Sequence, residues 1–481
     1  MRTRIDHPAL GLMRGAVLGG FAVALLHAAV PRTDAADCWG RLANPGFDGN
    51  RIKTTLFFAG QANDGSRQPP EDCYITPNLD KYTLNPEPRD THLNWSNPAN
   101  RDIVMNLMTN AGINVITMSS WGEDFLGCSD GWVTGSAPMQ TSPQAHNELF
   151  DAVANKHLLI VPFIESRSSW AMRDEFPLWS DGRVSPGLVS QIANLIHRYL
   201  QNPGHPEWAE KWAKVYDHNG APRYAVVLIH ACSNNLPAFD DEQFAAGFDL
   251  VADEIARATG VQIGFFIDAV PPGSTLSRAS FKPSAVFTAP SLRNTPSFLG
   301  IQCFAPEIFS GESGDDDLLS FKRGFISDWF ATGIPVLVDV SPGYDGHLVF
   351  GDDAKGAYGH SDEWIQGVTA LVNEYGRAGM VYNSWNGYTE AMVGTPTTEK
   401  GNSLYDWLKA LNSDQGVYVD HTVPGIGQGT VFDPFQTVAA GVAEACKGDL
   451  IHIRSGSYPE AMTVGKPLTL QARQGPVTIG P

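Results

Sequence analysis

From residue 54 to residue 383 the chain alternates short apolar runs with longer stretches in which apolar positions recur every three or four residues. The short runs are continuous rather than two-faced, which predicts strands buried on both sides. They fall at Thr54–Ala59 (TTLFFA), Ile113–Ser119 (INVITMS), Leu158–Ile164 (LLIVPFI), Tyr224–His230 (YAVVLIH), Gln262–Ile267 (QIGFFI), Leu299–Phe304 (LGIQCF), Pro335–Val340 (PVLVDV) and Gly379–Asn383 (GMVYN). Helices are predicted between them at residues 100–111, 142–156, 186–199, 241–259, 315–331 and 362–375. Ser142 before Pro143, Ser185 before Pro186, and Ser361 read as capping residues, because a hydroxyl there accepts an otherwise orphaned backbone N–H.

Eight such strands alternating with helices predict an α/β fold, a closed parallel (β/α)8 barrel spanning residues 37–412. A doubly wound open sheet is the competing architecture, but no Gly-x-Gly-x-x-Gly follows the first strand. In a barrel all strand ends converge on one mouth, so their residue types become a functional test. Going round, they are Trp121, Glu123 and Asp124; Glu165 and Arg167; His230; Asp268; Glu307; Asp339, Tyr344 and Asp345; and Trp385 and Glu390. A core explains Phe265 or Val338; it does not explain this many acids and aromatics at one end, since unpaired buried acids are costly.

Beyond residue 412 the texture changes. A Gly/Pro-rich linker is predicted over 413–430, then a segment over 431–481 with a helix at 435–445 and strands at 450–454, 461–464, 468–471 and 477–479. GDLIHIRSGSYPE followed by KPLTLQA resembles the opening of a right-handed parallel β-helix of the pectin-lyase-like type, which implies a partial β-helix-like segment.

Composition changes the picture at the N-terminus. Arg2, Arg4 and Arg14 precede an apolar run from Ala16 to Val30, followed by Ala35 and Ala36, the pattern of a secretory signal peptide over residues 1–36. The expected location is secreted or periplasmic, with no membrane association after cleavage. Six cysteines, an even number, fit disulfide formation in an exported protein, and no Cys-x-x-Cys pair points to zinc. The formal net charge of -19 excludes a nucleic-acid partner. No cofactor and no metal are expected, and the chain is read as a monomer.

The densest chemistry lies at residues 381–399, VYNSWNGYTEAMVGTPTTE. Aromatic faces stack on the apolar faces of pyranose rings, and a carboxyl in a partly dry cleft can keep a proton for a leaving oxygen. The segment SWNGYTEAMVGTPTTEKGNSLYDWL resembles that of secreted glycoside hydrolases related to families 71 and 99. In family 99 it carries Asn-Glu-Trp-His-Glu-Gly, whose first Glu is assigned as base and second as acid. Aligned on Asn386, the second Glu falls on Glu390, Tyr388 stands for the Trp, and Gly387 stands where the base would be. The resemblance therefore implies Glu390 as acid and no base from this strand.

Glycosidic cleavage in its common form needs two carboxyl groups, about 5 Å apart for retention and about 6.5–9.5 Å for inversion. The candidates for the partner are, in order, Asp339 (VLVDVS), Asp268 (FFIDAV) and Glu165 (PFIES). Trp121, Trp385, Tyr388 and Tyr344 are candidate sugar platforms; His230, Asn386 and Arg167 are candidate polar contacts. The expected function is hydrolysis of a polysaccharide or oligosaccharide. The alternatives are a non-catalytic carbohydrate-binding barrel and a polysaccharide lyase activity in the β-helix segment.

Overall fold

The computed structural model describes residues 38–59, 82–120, 143–165, 179–180, 183–229, 241–268, 289–302, 314–350, 357–388, 391–413, 416–425 and 427–480. The predicted signal peptide and Cys73, Cys128, Cys232 and Cys303 lie outside these residues.

Eight strands carry the architecture: β1 Ile52–Phe57, β2 Val115–Ser120, β3 Leu159–Glu165, β4 Pro222–Ile229, β5 Ile263–Asp268, β6 Phe298–Gln302, β7 Leu337–Val340 and β8 Gly379–Tyr382. Each pairs in parallel with its neighbours in the order β7-β8-β1-β2-β3-β4-β5-β6. A parallel bridge, Ile301 to Val336, joins β6 to β7 and closes the barrel. All eight predicted strands are present. A short antiparallel strand, Lys214–Tyr216, also pairs with β4.

The longer helices around the barrel are α1 Pro98–Asn110, α2 Pro143–Val153, α3 Pro186–Tyr199, α4 Asp241–Thr259, α5 Asp315–Phe330, α6 Asp362–Tyr375 and α7 Ser403–Ser413. Ser185 accepts from the Leu188 N–H and Ser361 from the Trp364 N–H, so both act as caps. At α5 the cap is Gly314, and the first turn carries Asp315, Asp316 and Asp317, acids that suit the positive end of the helix dipole.

Strand alternation divides the core into two layers. Leu56, Val115, Val161, Phe163, Val227, Phe266, Leu337 and Val381 fill the barrel interior. Their neighbours Ile116, Met118, Leu228, Phe265, Ile267, Val338 and Val340 face the helices and meet Leu149, Ile192, Phe248, Phe325 and Trp364. Each buried side chain of this size contributes about 1.5–3 kcal/mol, so the layers dominate stability. One irregularity sits where the barrel closes. Opposite Phe265 and Phe266, β6 shifts register at Gly300, where φ is +154° and an added Cβ would lie 2.6 Å from the Pro335 carbonyl.

The C-terminal region forms a three-stranded parallel sheet, β9 Val417–Val419, β10 Leu450–Tyr458 and β11 Thr469–Ile479, in that order. Helix α8, Val438–Glu444, packs on it through Val438 and Val442. Three details differ from expectation. Strand β9 lies inside residues 413–430, which the sequence reads as linker, because Val417 and Val419 bury against β10. Residues 461–464 form no strand, and 469–479 form one strand instead of two. A complete β-helix is not present among the described residues; the sheet has three strands.

This sheet docks beside the N-terminal ends of the barrel strands. Arg41 donates two hydrogen bonds to Asp449, at 3.0 and 3.3 Å, and the Cys446 N–H donates to the same carboxylate. Arg51, just before β1, lies 3.9 Å from it. Arg377, just before β8, pairs with Glu444, and Cys38 is disulfide-bonded to Cys446. The opposite end, the mouth, is thereby left to the loops that follow the strands. Among the described residues no helix is long and apolar enough to cross a membrane.

Candidate active site

The site is built from the last inward-facing positions of the strands. On β5, Gly264, Phe266 and Asp268 share one parity, and Phe266 belongs to the barrel interior. Asp268 therefore ends its strand pointing inward, fully buried. On β7 the same argument runs from Leu337 to Asp339. Two of the three candidate partner acids thus line one interior at its C-terminal end. Glu165 closes β3, its backbone in register with Ile229 of β4.

Asp339 does not stand alone. Lys322 of α5, fully buried, places its ammonium on one carboxylate oxygen, and Asn383 just beyond β8 donates its amide to the other. The Lys322 ammonium also lies 5.9 Å from the Trp364 ring centroid. Lys322 and Asn383 together orient both oxygens of Asp339, and a carboxylate so oriented suits a group that takes a proton or faces a developing positive charge. Asp268 pairs in register with Gln302 of β6, which is buried and whose Oε1 has no hydrogen-bond partner among the described residues. An acceptor left unmade at this depth is costly and is a feature of sites that receive a donor from elsewhere.

The loop after β8 is ordered by its own polar groups. The Asn386 amide bonds on both sides: it donates to the Phe58 carbonyl and accepts from the Phe58 N–H, both at 3.1 Å, fastening the loop to the end of β1. Asn386 and Gly387 pair antiparallel with Val393 and Met392. A Cβ at Gly387 would lie 2.5 Å from Ser384 Oγ and 2.8 Å from the Met392 carbonyl, so the position has no room for a side chain.

The aromatic candidates divide. Trp385 and Tyr388 are each 1% exposed. Trp385 packs edge-on against Tyr405 of α7, 6.3 Å between centroids, and Tyr388 packs on Tyr82 at 5.3 Å. Burial pushes the Tyr388 phenol up. Tyr344 is stacked on Tyr358, 5.9 Å apart, in a small hairpin after β7. All three are buried against aromatic neighbours. Trp121, Arg167, His230 and Glu390 lie outside the described residues, as do Glu123, Asp124 and Glu307.

Three mouth residues were not singled out from the sequence. Lys322 sits in SFKRGF, which reads as a helix with two solvated cations; Gln302 in LGIQCF and Asn383 in GMVYN read as strand ends. Inward parity at a strand's C-terminal end is the signal that marks the last two. At the mouth, no group of three described His, Cys, Asp or Glu side chains has metal-ligand spacing.

The barrel is similar in chain path to solved structures. The GH99 endo-alpha-mannosidase from Bacteroides thetaiotaomicron, in complex with BIS-TRIS-Propane, is 14% identical over 75% of this chain and 94% of that one, with a TM-score of 0.49. The exo-beta-1,4-mannosidase Op5Man5 from Opitutaceae bacterium strain TAV5 is 12% identical over 82% of this chain and 67% of that one, TM-score 0.45. The endoglucanase Cel5A from Pseudomonas stutzeri is 13% identical over 65% and 85%, TM-score 0.38. Identities this low bear on chain path and not on chemistry. No protein-family model and no curated protein matches the sequence.

Proposed function

We propose that this protein is an exported glycoside hydrolase that cleaves an oligosaccharide or polysaccharide at the C-terminal mouth of its barrel. The observation that carries the reading is the inward placement of two buried acids, Asp268 and Asp339, at the ends of β5 and β7. In this reading Glu390 gives its proton to the leaving oxygen. Asp339, paired with Lys322, acts across the sugar ring, either on water or on the ring carbon. Gly387 supports recruitment of that partner from another strand, since no acid fits at the position itself. The apolar run after Arg14 and the Cys38–Cys446 disulfide support export, because disulfides persist in oxidising compartments.

A second reading, a carbohydrate-binding barrel without catalysis, is favoured by the same crowding at Gly387, which removes the acid that the resemblance to family 99 would call for. A lyase activity in the C-terminal region is less well supported: such sites need long stacks of parallel strands, and three are described. The all-parallel pairing there supports a short β-helix-like cap packed on the barrel.

The deciding experiment is a polysaccharide and oligosaccharide panel with the wild type, Glu390→Gln and Asp339→Asn. Loss of about 100-fold or more in kcat with binding retained, for either variant, supports the two-acid mechanism. Binding by the wild type without cleavage supports the binding barrel, and cleavage unaffected by both substitutions sinks the assignment.

A further inference from the structure

At the opposite end of the barrel from the mouth, three potential metal ligands meet. Asp151 lies in the last turn of α2, the helix that leads into β3; His205 and Glu207 lie in the connection from α3 to β4. Both are helix-to-strand connections, so the cluster sits on the N-terminal face. One ligand atom from each residue lies within 4.8 Å of the other two. His205 Nδ1 and Glu207 Oε1 are already 3.1 Å apart. Bonds of about 2.0–2.2 Å from zinc to nitrogen and oxygen set ligand atoms roughly 3–4 Å from one another, so small side-chain rotations complete a shell.

One residue orients two of these ligands. The Trp208 ring stacks on the His205 imidazole, 3.9 Å between centroids at 10°, and its Nε1 donates to Asp151 Oδ1 at 3.0 Å. Trp208 is itself buried and packs against Phe150 and Tyr199. The arrangement is that of an outer shell around metal ligands: it fixes the ring plane and one carboxylate oxygen, and the other has no hydrogen bond among the described residues. Among the described residues, no lysine or arginine is paired with Asp151 or Glu207. Two carboxylates balance the charge of a divalent cation, and the carbonyl end of α2 adds negative potential beside Asp151.

We propose that Asp151, His205 and Glu207 form a binding site for a divalent first-row cation, with Zn2+ the best match to one imidazole and two carboxylates, water completing the coordination. The ion would clip the end of α2 to the connection before β4. Its role is structural, since the site faces away from the mouth and the proposed acids. The proposal is independent of the glycosidase reading and is tested without reference to activity.

The test is calorimetric titration of Zn2+ into the chelator-stripped full chain, beside His205→Ala and Asp151→Asn, which alter side chains at the surface. One equivalent should bind to the wild type and raise the unfolding midpoint by about 2 °C or more at saturating Zn2+. His205→Ala should abolish that equivalent and the shift, and Asp151→Asn should weaken binding about tenfold or more. Trp208→Phe, which keeps the stacking and removes the N–H, should weaken it about 10-fold. A Zn2+ titration and midpoint shift identical in the wild type and both surface variants would overturn the site, as would no binding by the wild type.

Discussion

Lys322 and Asp339 form a buried ion pair between a helix on the outside of the barrel and the inward-facing end of β7. Lys322 belongs to α5, which connects β6 to β7, and among the described residues those two strands share one bridge. The pair thus spans the weakest seam of the wall. Removing one partner strands a buried charge, which costs about 3–5 kcal/mol, whereas removing both leaves an apolar gap and less penalty. Lys322→Met should lose roughly that much in urea unfolding, and Lys322→Met combined with Asp339→Leu should recover most of it. A single-variant loss below about 1 kcal/mol would refute a buried pair.

Gly387 gives a second prediction, on which the resemblance to family 99 and the geometry disagree. Replacing it with the family's glutamate should not create a base. The new Cβ meets Ser384 Oγ and the Met392 carbonyl, and the hairpin must open to admit it. Overpacking of this kind costs about 1–3 kcal/mol, so Gly387→Ala alone should lower the thermal midpoint. Gly387→Glu should be at least as destabilised and no more active. A stable Gly387→Glu variant with increased cleavage would show that the loop adapts and that the missing acid was the limiting feature.

How far the sequence led follows from which forces are local. The eight strands are legible because each is a continuous apolar run; α3 and α6 have the predicted bounds because Ser185 and Ser361 cap them, and α4 follows its apolar spacing. The site was legible only in part. Asp268 and Asp339 announce themselves as acids ending apolar strands, but Lys322 reaches Asp339 across 17 residues of sequence through packing that no local pattern records. Trp385 and Tyr388 read as platforms because aromatics beside an acid look exposed; their partners Tyr405 and Tyr82 lie at other places in the chain and bury them. At the C-terminus β9 leaves no mark in the sequence because three residues are too short for a period, and it becomes a strand only beside β10.

His146 predicts how stability depends on pH. It is buried on α2, Nε2 is 3.0 Å from the Ser119 carbonyl, and burial lowers its pKa from 6.5 to about 4. The unfolded chain therefore takes up the proton first. Stability is whole above about pH 6.5, declines as pH falls and stops declining below about pH 4, with a loss from this group on the order of 1–3 kcal/mol. His92 and His360, lowered to about 4 by burial as well, act in the same direction. Urea unfolding at pH 7.5, 6 and 5 should give falling midpoints, with a shallower slope in His146→Gln. An unchanged slope would mean that the ring is neutralised by something other than burial.

Asp449 predicts that the barrel and the C-terminal sheet unfold together. Burial pushes its carboxyl up, but Arg41, Arg51 and the Cys446 N–H outweigh that and hold it below its ordinary value. Its contribution is therefore present above about pH 4 and lost as pH falls below that. Asp449→Asn leaves Arg41 and Arg51 buried without a counter-ion and should cost about 3–5 kcal/mol at neutral pH. The Cys38–Cys446 disulfide closes a loop across 408 residues, and reducing it should cost about 3 kcal/mol or more by releasing the unfolded chain. Both act at one junction, so their effects should not add: Asp449→Asn in reductant should show a separate, earlier transition for the sheet, followed by the barrel. Residue-resolved hydrogen exchange reads this directly. Early exchange confined to β9–β11 is expected, and simultaneous exchange of β10 and β1 in the reduced variant would show that the junction does not rest on Asp449 and the disulfide.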